Sequence, residues 1–355
     1  MPHCFGTLDE LLTHGFDTVI DVRSPAEFAQ DHIPNAVNLP AMSNEERAQV
    51  GTIYKQESPF KARKIGAAIV SRNMAAHLEG PLANNSGEWR PLVYCWRGGQ
   101  RSGSIALILD QVGWRTATLQ GGYQAYRRLV CNALYKTPMP HKFILLDGFT
   151  GTAKTEVLKS LVKSGIQTLD LEGIANHRGS MLGGYNTPQP SQKMFESKIA
   201  HVLAGLDPDR PVIIEAESSK IGRLNVPPML WEKMYSAPKI IITAPLQARI
   251  SYLVSAYSDV VANHHELIAR LQPLRQFRGH KIVDQWENLI KTGDLSGFAG
   301  SIITNHYDPA YSKSQIKSGL SLTVTANTLD EAGIHKLAID IQTAIRSILS
   351  RLSDQ

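Results

Sequence analysis

Short apolar runs alternate with longer amphipathic stretches from one end of the chain to the other. Residues 17–20, 91–94 and 116–119 have the length and character of buried strands. After the first of them Ser24 stands as an N-cap with Pro25 at the first helical position, so a helix is expected to start there. Residues 32–39 return as an extended piece. Residues 43–64 are polar with weak helical periodicity, and a helix is expected over 102–112. Thr137-Pro-Met-Pro140 then stops both helix and ladder, which marks a linker. Beyond it, residues 142–147, 167–170, 211–215, 239–243 and 320–325 are expected strands. Residues 246–295 lack strand alternation and are expected to form a helical insertion. The chain closes on a helix over 329–352, with Ile334, Leu337, Ile341, Ile345 and Ile348 on one stripe. Strands alternating with helices predict an α/β fold in two parts, 1–136 and 137–355, each with a parallel sheet.

Composition narrows this picture. With 355 residues, 43% of them hydrophobic, the chain can bury two ordinary cores. No apolar run approaches the ~20 residues of a membrane helix. Residues 1–10 hold no basic cluster followed by an apolar stretch, so the expectation is a cytoplasmic protein with no secretory leader and no membrane partner. Three scattered cysteines (Cys4, Cys95, Cys131) are too few for a disulfide framework. The net charge of +5 divides into +2 over residues 1–136 and +3 over the rest, with no basic tail. Such a balance permits a nucleic-acid partner without demanding one.

The first candidate site is Cys95-Trp96-Arg97-Gly98-Gly99-Gln100-Arg101, between an expected strand and an expected helix. A cysteine there lies at the carboxyl edge of the sheet, where α/β proteins place ligands. Two glycines let the loop curl so that successive N–H groups meet at one spot, an anion nest. Arg97, Arg101 and the helix N-terminus add positive potential, which favours the thiolate. A Cys-x5-Arg loop also serves cysteine phosphatases, so the loop alone leaves the chemistry open.

The second candidate is Gly148-Phe149-Thr150-Gly151-Thr152-Ala153-Lys154-Thr155, a strand–loop–helix phosphate loop. Lys154 is placed to reach terminal phosphates and Thr155 to hold a metal. Ala153 stands where glycine normally precedes the lysine, and its methyl group is expected to be tolerated at negative φ. Glu215 and Glu217 end an apolar strand on the same side of the extended chain. They either support Mg²⁺ on a bound diphosphate or form a solvated strand end. In the insertion, Arg249, Arg270, Arg275, Arg278, His280 and Lys281 surround Phe277. They are either a grip on RNA phosphates with one stacking ring or a solvated helix face.

Asp21-Val-Arg23, Glu27-Phe28, His32-Ile-Pro34 and Gln120-Gly-Gly-Tyr123, set around a strand-borne cysteine, resemble the rhodanese domain over residues 1–130. Strings along nearly the whole chain resemble the tRNA 2-selenouridine synthase family. They are Val50-Gly-Thr-Ile-Tyr-Lys-Gln56, the Cys95 loop, Asp170-Leu-Glu-Gly-Ile-Ala-Asn-His-Arg-Gly-Ser180, Pro190-Ser-Gln-Lys-Met-Phe-Glu196 and Glu215-Ala-Glu-Ser-Ser-Lys-Ile-Gly222. The chain differs at Ala153, and at Asp31 and Asn35, where glycine is usual in the turn around His-Ile-Pro; the last two are expected to touch turn geometry only.

The resemblance implies an N-terminal rhodanese-like domain and a C-terminal P-loop NTPase-like α/β domain. It implies a transferase that S-geranylates wobble 2-thiouridine of tRNA from geranyl diphosphate, then exchanges the S-geranyl group for selenium from selenophosphate. Cys95 would be catalytic; beside the phosphate loop, Asp170 and Glu172 would either bind metal or position tRNA, and His177 and Arg178 would either contact phosphate or brace the loop. A selenophosphate-producing enzyme would be a partner. The competing enzyme reading is a rhodanese-type sulfurtransferase with an associated P-loop NTPase or kinase domain. The non-enzyme one is a nucleotide-gated adaptor, which has no need of a nucleophile.

Overall fold

A computed structural model describes residues 1–180, 182–185, 187–257, 263–314 and 319–353. It divides into two compact units, Met1–Pro138 with Pro190–Gly205, and Met139–Gln189 with Leu206–Gln355. No helix among the described residues is long and apolar enough to cross a membrane.

In the first unit five strands form a wholly parallel sheet in the order β1-β5-β4-β2-β3. They are β1 (Pro2–His3), β2 (Thr18–Asp21), β3 (Val37–Asn38), β4 (Pro91–Tyr94) and β5 (Ala117–Leu119). The central β4 is buried at all four positions, as a strand covered on both faces must be. Ser24 caps helix Pro25–Gln30 through a capping box with Glu27. The polar stretch after Ser43 forms two helices, Asn44–Gln56 and Pro59–Glu79, the second much longer than its weak periodicity suggested. Its charges face solvent while Ile69, Val70 and Met74 pack on Ile20, Val93 and Leu109.

Helix Gln192–Ala204 clusters with this unit, although the sequence reading assigned all of 137–355 to one domain. Polar contacts hold it there. Arg127 pairs with Glu196, and the Tyr135 hydroxyl donates to the same carboxylate at 2.9 Å. Ser197 Oγ and Tyr123 OH donate to Asp31 Oδ2 at 3.0 and 2.8 Å. Asp31 is fully buried, so it is a packing anchor as well as a turn residue. Asn35 does sit in the left-handed region, at φ 63°, as a glycine would.

The second unit has another wholly parallel sheet, in the order β12-β11-β6-β8-β7. Its strands are β6 (Phe143–Gly148), β7 (Gln167–Leu169), β8 (Val212–Glu215), β11 (Lys239–Thr243) and β12 (Ser321–Thr325). A short antiparallel hairpin, β9 (Lys220–Ile221) with β10 (Leu224–Asn225), lies outside it. The phosphate-loop strand β6 is central, with β8 and its terminal glutamate beside it. Helix Glu331–Ser353 lays Leu337, Ile341, Ile345 and Ile348 over this sheet. The insertion packs Leu267, Leu271, Val283, Trp286 and Ile290 into a small core of its own. Its helices run on past residue 295 through Leu295–Ile302 and Asp308–Ser314, because Phe298 and Ile302 continue the apolar stripe.

Candidate active site: a thiol loop and a phosphate loop

Cys95 follows β4 directly and is 3% exposed, while residues 97–100 form an exposed rim. Its Sγ accepts hydrogen bonds from Ser102 Oγ at 3.2 Å and from the Gly99 N–H at 3.3 Å. Burial pushes the thiol up, but the Ser102 hydroxyl and the N–H groups of Ser102, Gly99 and Arg97 outweigh it. The net effect holds Cys95 below the ordinary thiol range. Arg101 Nη1 pairs with Glu27 Oε2 at 2.9 Å, and Glu27 is fixed in turn by the Ser24 N–H at 3.1 Å. Arg97 is exposed and Gln100 opens the helix Gln100–Val112. Trp96 is half-buried, its ring 5.2 Å from Tyr123.

The loop is held from behind by the Gly121-Gly122 turn. Tyr123 N–H donates to the Cys95 carbonyl at 2.8 Å, and Gln124 N–H to that of Trp96 at 3.1 Å. A Cβ at Gly122 would lie 2.2 Å from the Cys95 carbonyl oxygen at a φ of +55°, so only glycine fits. Arg23 is buried against Asp21, with its guanidinium 3.9 Å from the Tyr123 ring centre. The Asp-Val-Arg string is therefore scaffold for the turn that supports the cysteine.

In the second unit the loop after β6 turns through Gly148 and Gly151, both at positive φ. Ala153 also has positive φ, 60°, against the expectation of a negative value. The turn into helix Lys154–Lys163 requires the left-handed conformation, at a cost of roughly 1–2 kcal/mol for an L-residue. The Ala153 methyl is buried among Val157, Leu158 and Ile242, which offsets part of that strain. Lys154 Nζ donates to the Gly148 carbonyl at 2.8 Å. Thr152 is buried and donates to the Phe149 carbonyl at 2.8 Å.

Thr155 Oγ1 donates to Glu215 Oε1 at 2.9 Å and approaches Glu172 Oε2 at 3.3 Å. Glu172, Glu215 and Glu217 bring carboxylate oxygens within 4.8 Å of one another. Burial, then mutual repulsion, raises all three, with Lys154 opposing, and Glu215 is pushed up to about 8. Gly179 lies against two of them: a Cβ there would meet Glu172 Oε1 at 2.3 Å and Glu217 Oε2 at 2.7 Å. Asp170 caps the helix Leu171–Ala175.

These carboxyls hold protons more tightly when folded than when unfolded. Stability therefore falls as pH rises from the unfolded carboxylate range through about 8, by at most about 1.4 kcal/mol per pH unit for each group. Thermal melting across that window should show the decline, and Glu215→Gln should flatten it. A wild-type melting curve indifferent to pH there would mean that the folded cluster is ionised throughout.

His177 ring Nδ1 is buried, and burial lowers the ring's pKa. The Arg178 guanidinium lies 4.3 Å from the Tyr185 ring centre and 4.7 Å from that of Tyr257. The cations of the insertion are mostly engaged within the unit. Arg249 is buried, pairs with Asp308 at 2.6 Å and donates to the Thr150 carbonyl, bracing the phosphate loop. Arg270 pairs with Glu266, Arg275 with Asp284 and Glu287, and Arg278 donates to His306. Lys281, His280 and Phe277 are exposed.

A cleft of about 860 Å³ is lined by Lys154, Thr155, Glu172 and Glu217 together with Trp231, Tyr252, Tyr257, Tyr307 and Tyr311, and the Tyr311 hydroxyl accepts from the Gly148 N–H at 3.0 Å. Sequence reasoning missed these aromatic rings, because they are spread over residues 231–311 and no local motif links them.

A cysteine loop on one α/β unit and a phosphate loop with a carboxylate cluster on another define a protein built from a rhodanese-like part and a P-loop part. Residues 6–129 match the family model of the rhodanese-like domain, and residues 141–292 that of the tRNA 2-selenouridine synthase AAA domain. The tRNA 2-selenouridine synthase of Sulfurovum sp. (strain NBC37-1) is 34% identical, the match covering 82% of this chain and 87% of that protein. The synthase of Marinobacter nauticus is 32% identical with the same coverage, 82% and 87%. The chain belongs to the tRNA 2-selenouridine synthase family, and it is an enzyme, a transferase.

Proposed function

We propose that this enzyme converts wobble 2-thiouridine of tRNA into 2-selenouridine in two steps. In the first, the thiocarbonyl sulfur attacks C1 of geranyl diphosphate. An S–C bond forms, the C–O bond breaks, diphosphate leaves, and the N3 proton of the base passes to solvent. In the second, the P–Se bond of selenophosphate breaks with its phosphoryl group passing finally to water, the selenium adds at C2, and geranyl thiolate departs. Alkylation matters because a thiocarbonyl sulfur is a poor leaving group and an alkyl thiolate a better one. The phosphate loop takes geranyl diphosphate, and the Cys95 loop takes selenophosphate or the selenium it delivers. The setting is the cytoplasm, with a selenophosphate-producing enzyme as supplier.

The observation that carries this reading is the mixed lining of the cleft. It brings Lys154 and the phosphate loop together with several aromatic rings. An apolar slot shares Thr150, Leu253, Tyr257 and Tyr307 with it and continues between Leu182, Phe298 and Ile302. A diphosphate calls for the first of these linings and the hydrocarbon tail of a prenyl group for the second.

Mg²⁺ fits the same place by donor type: Thr155, Glu172 and Glu215 are hard oxygen donors, and Glu215 Oε2 is buried with no hydrogen-bond partner among the described residues. When bound, it would neutralise charge on the departing diphosphate. The protein's own share is Lys154 at the phosphates, the loop N–H groups around them, and the aromatic rings of the cleft beside the allylic carbon.

The test is to incubate the enzyme with thiolated tRNA and weigh the wobble nucleoside. Geranyl diphosphate alone should give the geranylated nucleoside, and geranyl diphosphate with selenophosphate should give 2-selenouridine. Unaltered 2-thiouridine in both reactions would overturn the proposal in favour of a sulfurtransferase with an attached P-loop NTPase or kinase.

A further inference from the structure

We propose that Cys95 is a phosphoryl acceptor: its thiolate attacks the phosphorus of the selenium donor and does not take the selenium itself. This rests on the reading of selenophosphate as the donor. The step balances simply. An S–P bond forms, the P–Se bond breaks, and selenium leaves with the bonding pair as hydrogen selenide. Water then attacks phosphorus, the S–P bond breaks, phosphate departs, and the thiolate returns as a proton passes to solvent. Selenium in selenophosphate is already at the selenide level. Joining it to a thiolate as S–Se would remove two electrons and require an oxidant, whereas attack at phosphorus requires none.

The geometry of the loop favours the same atom. The sequence between β4 and the following helix is Cys95-x5-Arg101-Ser102. Gly99 N–H and Ser102 Oγ already converge on Sγ at 3.3 and 3.2 Å. Arg101 is held at the first turn of that helix by Glu27, at 2.9 Å, and exposed Arg97 stands on the rim. A partial ring of donors around Sγ, with exposed Arg97 on its rim, suits a group with three equatorial oxygens that gathers charge as it transfers. A selenide, a single soft acceptor, needs no such ring. Ser102 has a more definite part. Its hydroxyl, bonded to Sγ, stabilises sulfur as it leaves in the second step, so Ser102 is a positioning residue for dephosphorylation.

The inference adds an activity that needs no tRNA: slow hydrolysis of an activated phosphate monoester through a phosphocysteine. Full-length enzyme is mixed with selenophosphate, and separately with p-nitrophenyl phosphate, then quenched in denaturant and weighed intact and after digestion. One phosphoryl group on Cys95 is expected from either donor, with none in Cys95→Ser. Ser102→Ala should hold that adduct about 10- to 100-fold longer, the worth of one hydrogen bond to a charged atom. Ser102→Thr should restore its turnover, which loss of folding in the alanine variant would not imitate. A selenium adduct on Cys95 overturns the proposal, as does 2-selenouridine formation with no phosphocysteine in wild type or Ser102→Ala. Phosphocysteine without any 2-selenouridine upholds it and instead overturns the tRNA reading.

Discussion

Cys95→Ser is expected to abolish selenium incorporation, by on the order of 10³-fold or more, the scale of losing a nucleophile, while geranylated tRNA accumulates. The split follows from where the thiol is and what surrounds it. Ser102 and Gly99 direct hydrogen bonds at Sγ, and those bonds hold the thiol below its ordinary pKa in spite of burial. A serine hydroxyl in the same ring stays protonated at neutral pH and takes the hydrogen bonds without becoming a nucleophile. The alkylation step needs only tRNA sulfur and a bound prenyl diphosphate, so it should proceed. The check is a time course of both nucleosides by mass spectrometry, with thermal melting to verify the fold. Normal 2-selenouridine from the serine variant would make Cys95 a packing residue. Loss of both nucleosides from a folded variant would mean that geranylation also passes through this loop.

Both loops were legible in the sequence because each is local. Strand, glycine-containing turn and helix follow one another within about a dozen residues, and turn chemistry at that range is a property of the chain itself. The central strands were legible for the same reason: residues 91–94 and 239–243 were expected and appear as β4 and β11 with those bounds. What escaped depends on partners far apart in sequence. Asp31 looked like a substituted turn residue until Tyr123 and Ser197, 92 and 166 positions away, were seen to donate to it. Helix Gln192–Ala204 looked like part of the second half, since nothing in its own periodicity says that Glu196 will meet Arg127. Arg249 belonged to a basic run that suggested phosphate contact, but its partner is Asp308, 59 positions on. Ala153 is a different failure. Its residue type argued for negative φ, and the geometry of the phosphate loop overrode that preference.

Lys154→Ala is expected to slow geranyl transfer by about 10² to 10³, the usual cost of removing one charge-stabilising donor from a developing anion. Lys154 opens its helix immediately after the left-handed Ala153, and its ammonium now rests on the Gly148 carbonyl at 2.8 Å, inside the cleft. A diphosphate entering the loop replaces that carbonyl with far stronger acceptors, so the contact grows as the C–O bond breaks. The loss should therefore fall on kcat more than on KM. The variant has a second signature that does not depend on activity. Lys154 is the charge that opposes protonation of Glu172, Glu215 and Glu217. Without it the three carboxyls hold their protons to higher pH, so the decline of stability with rising pH should move upward. If the pH window moves while geranyl transfer is unchanged, Lys154 is where the structure has it and the prenyl diphosphate binds elsewhere. If neither changes, the ammonium does not govern this cleft, and the phosphate loop is not the prenyl site.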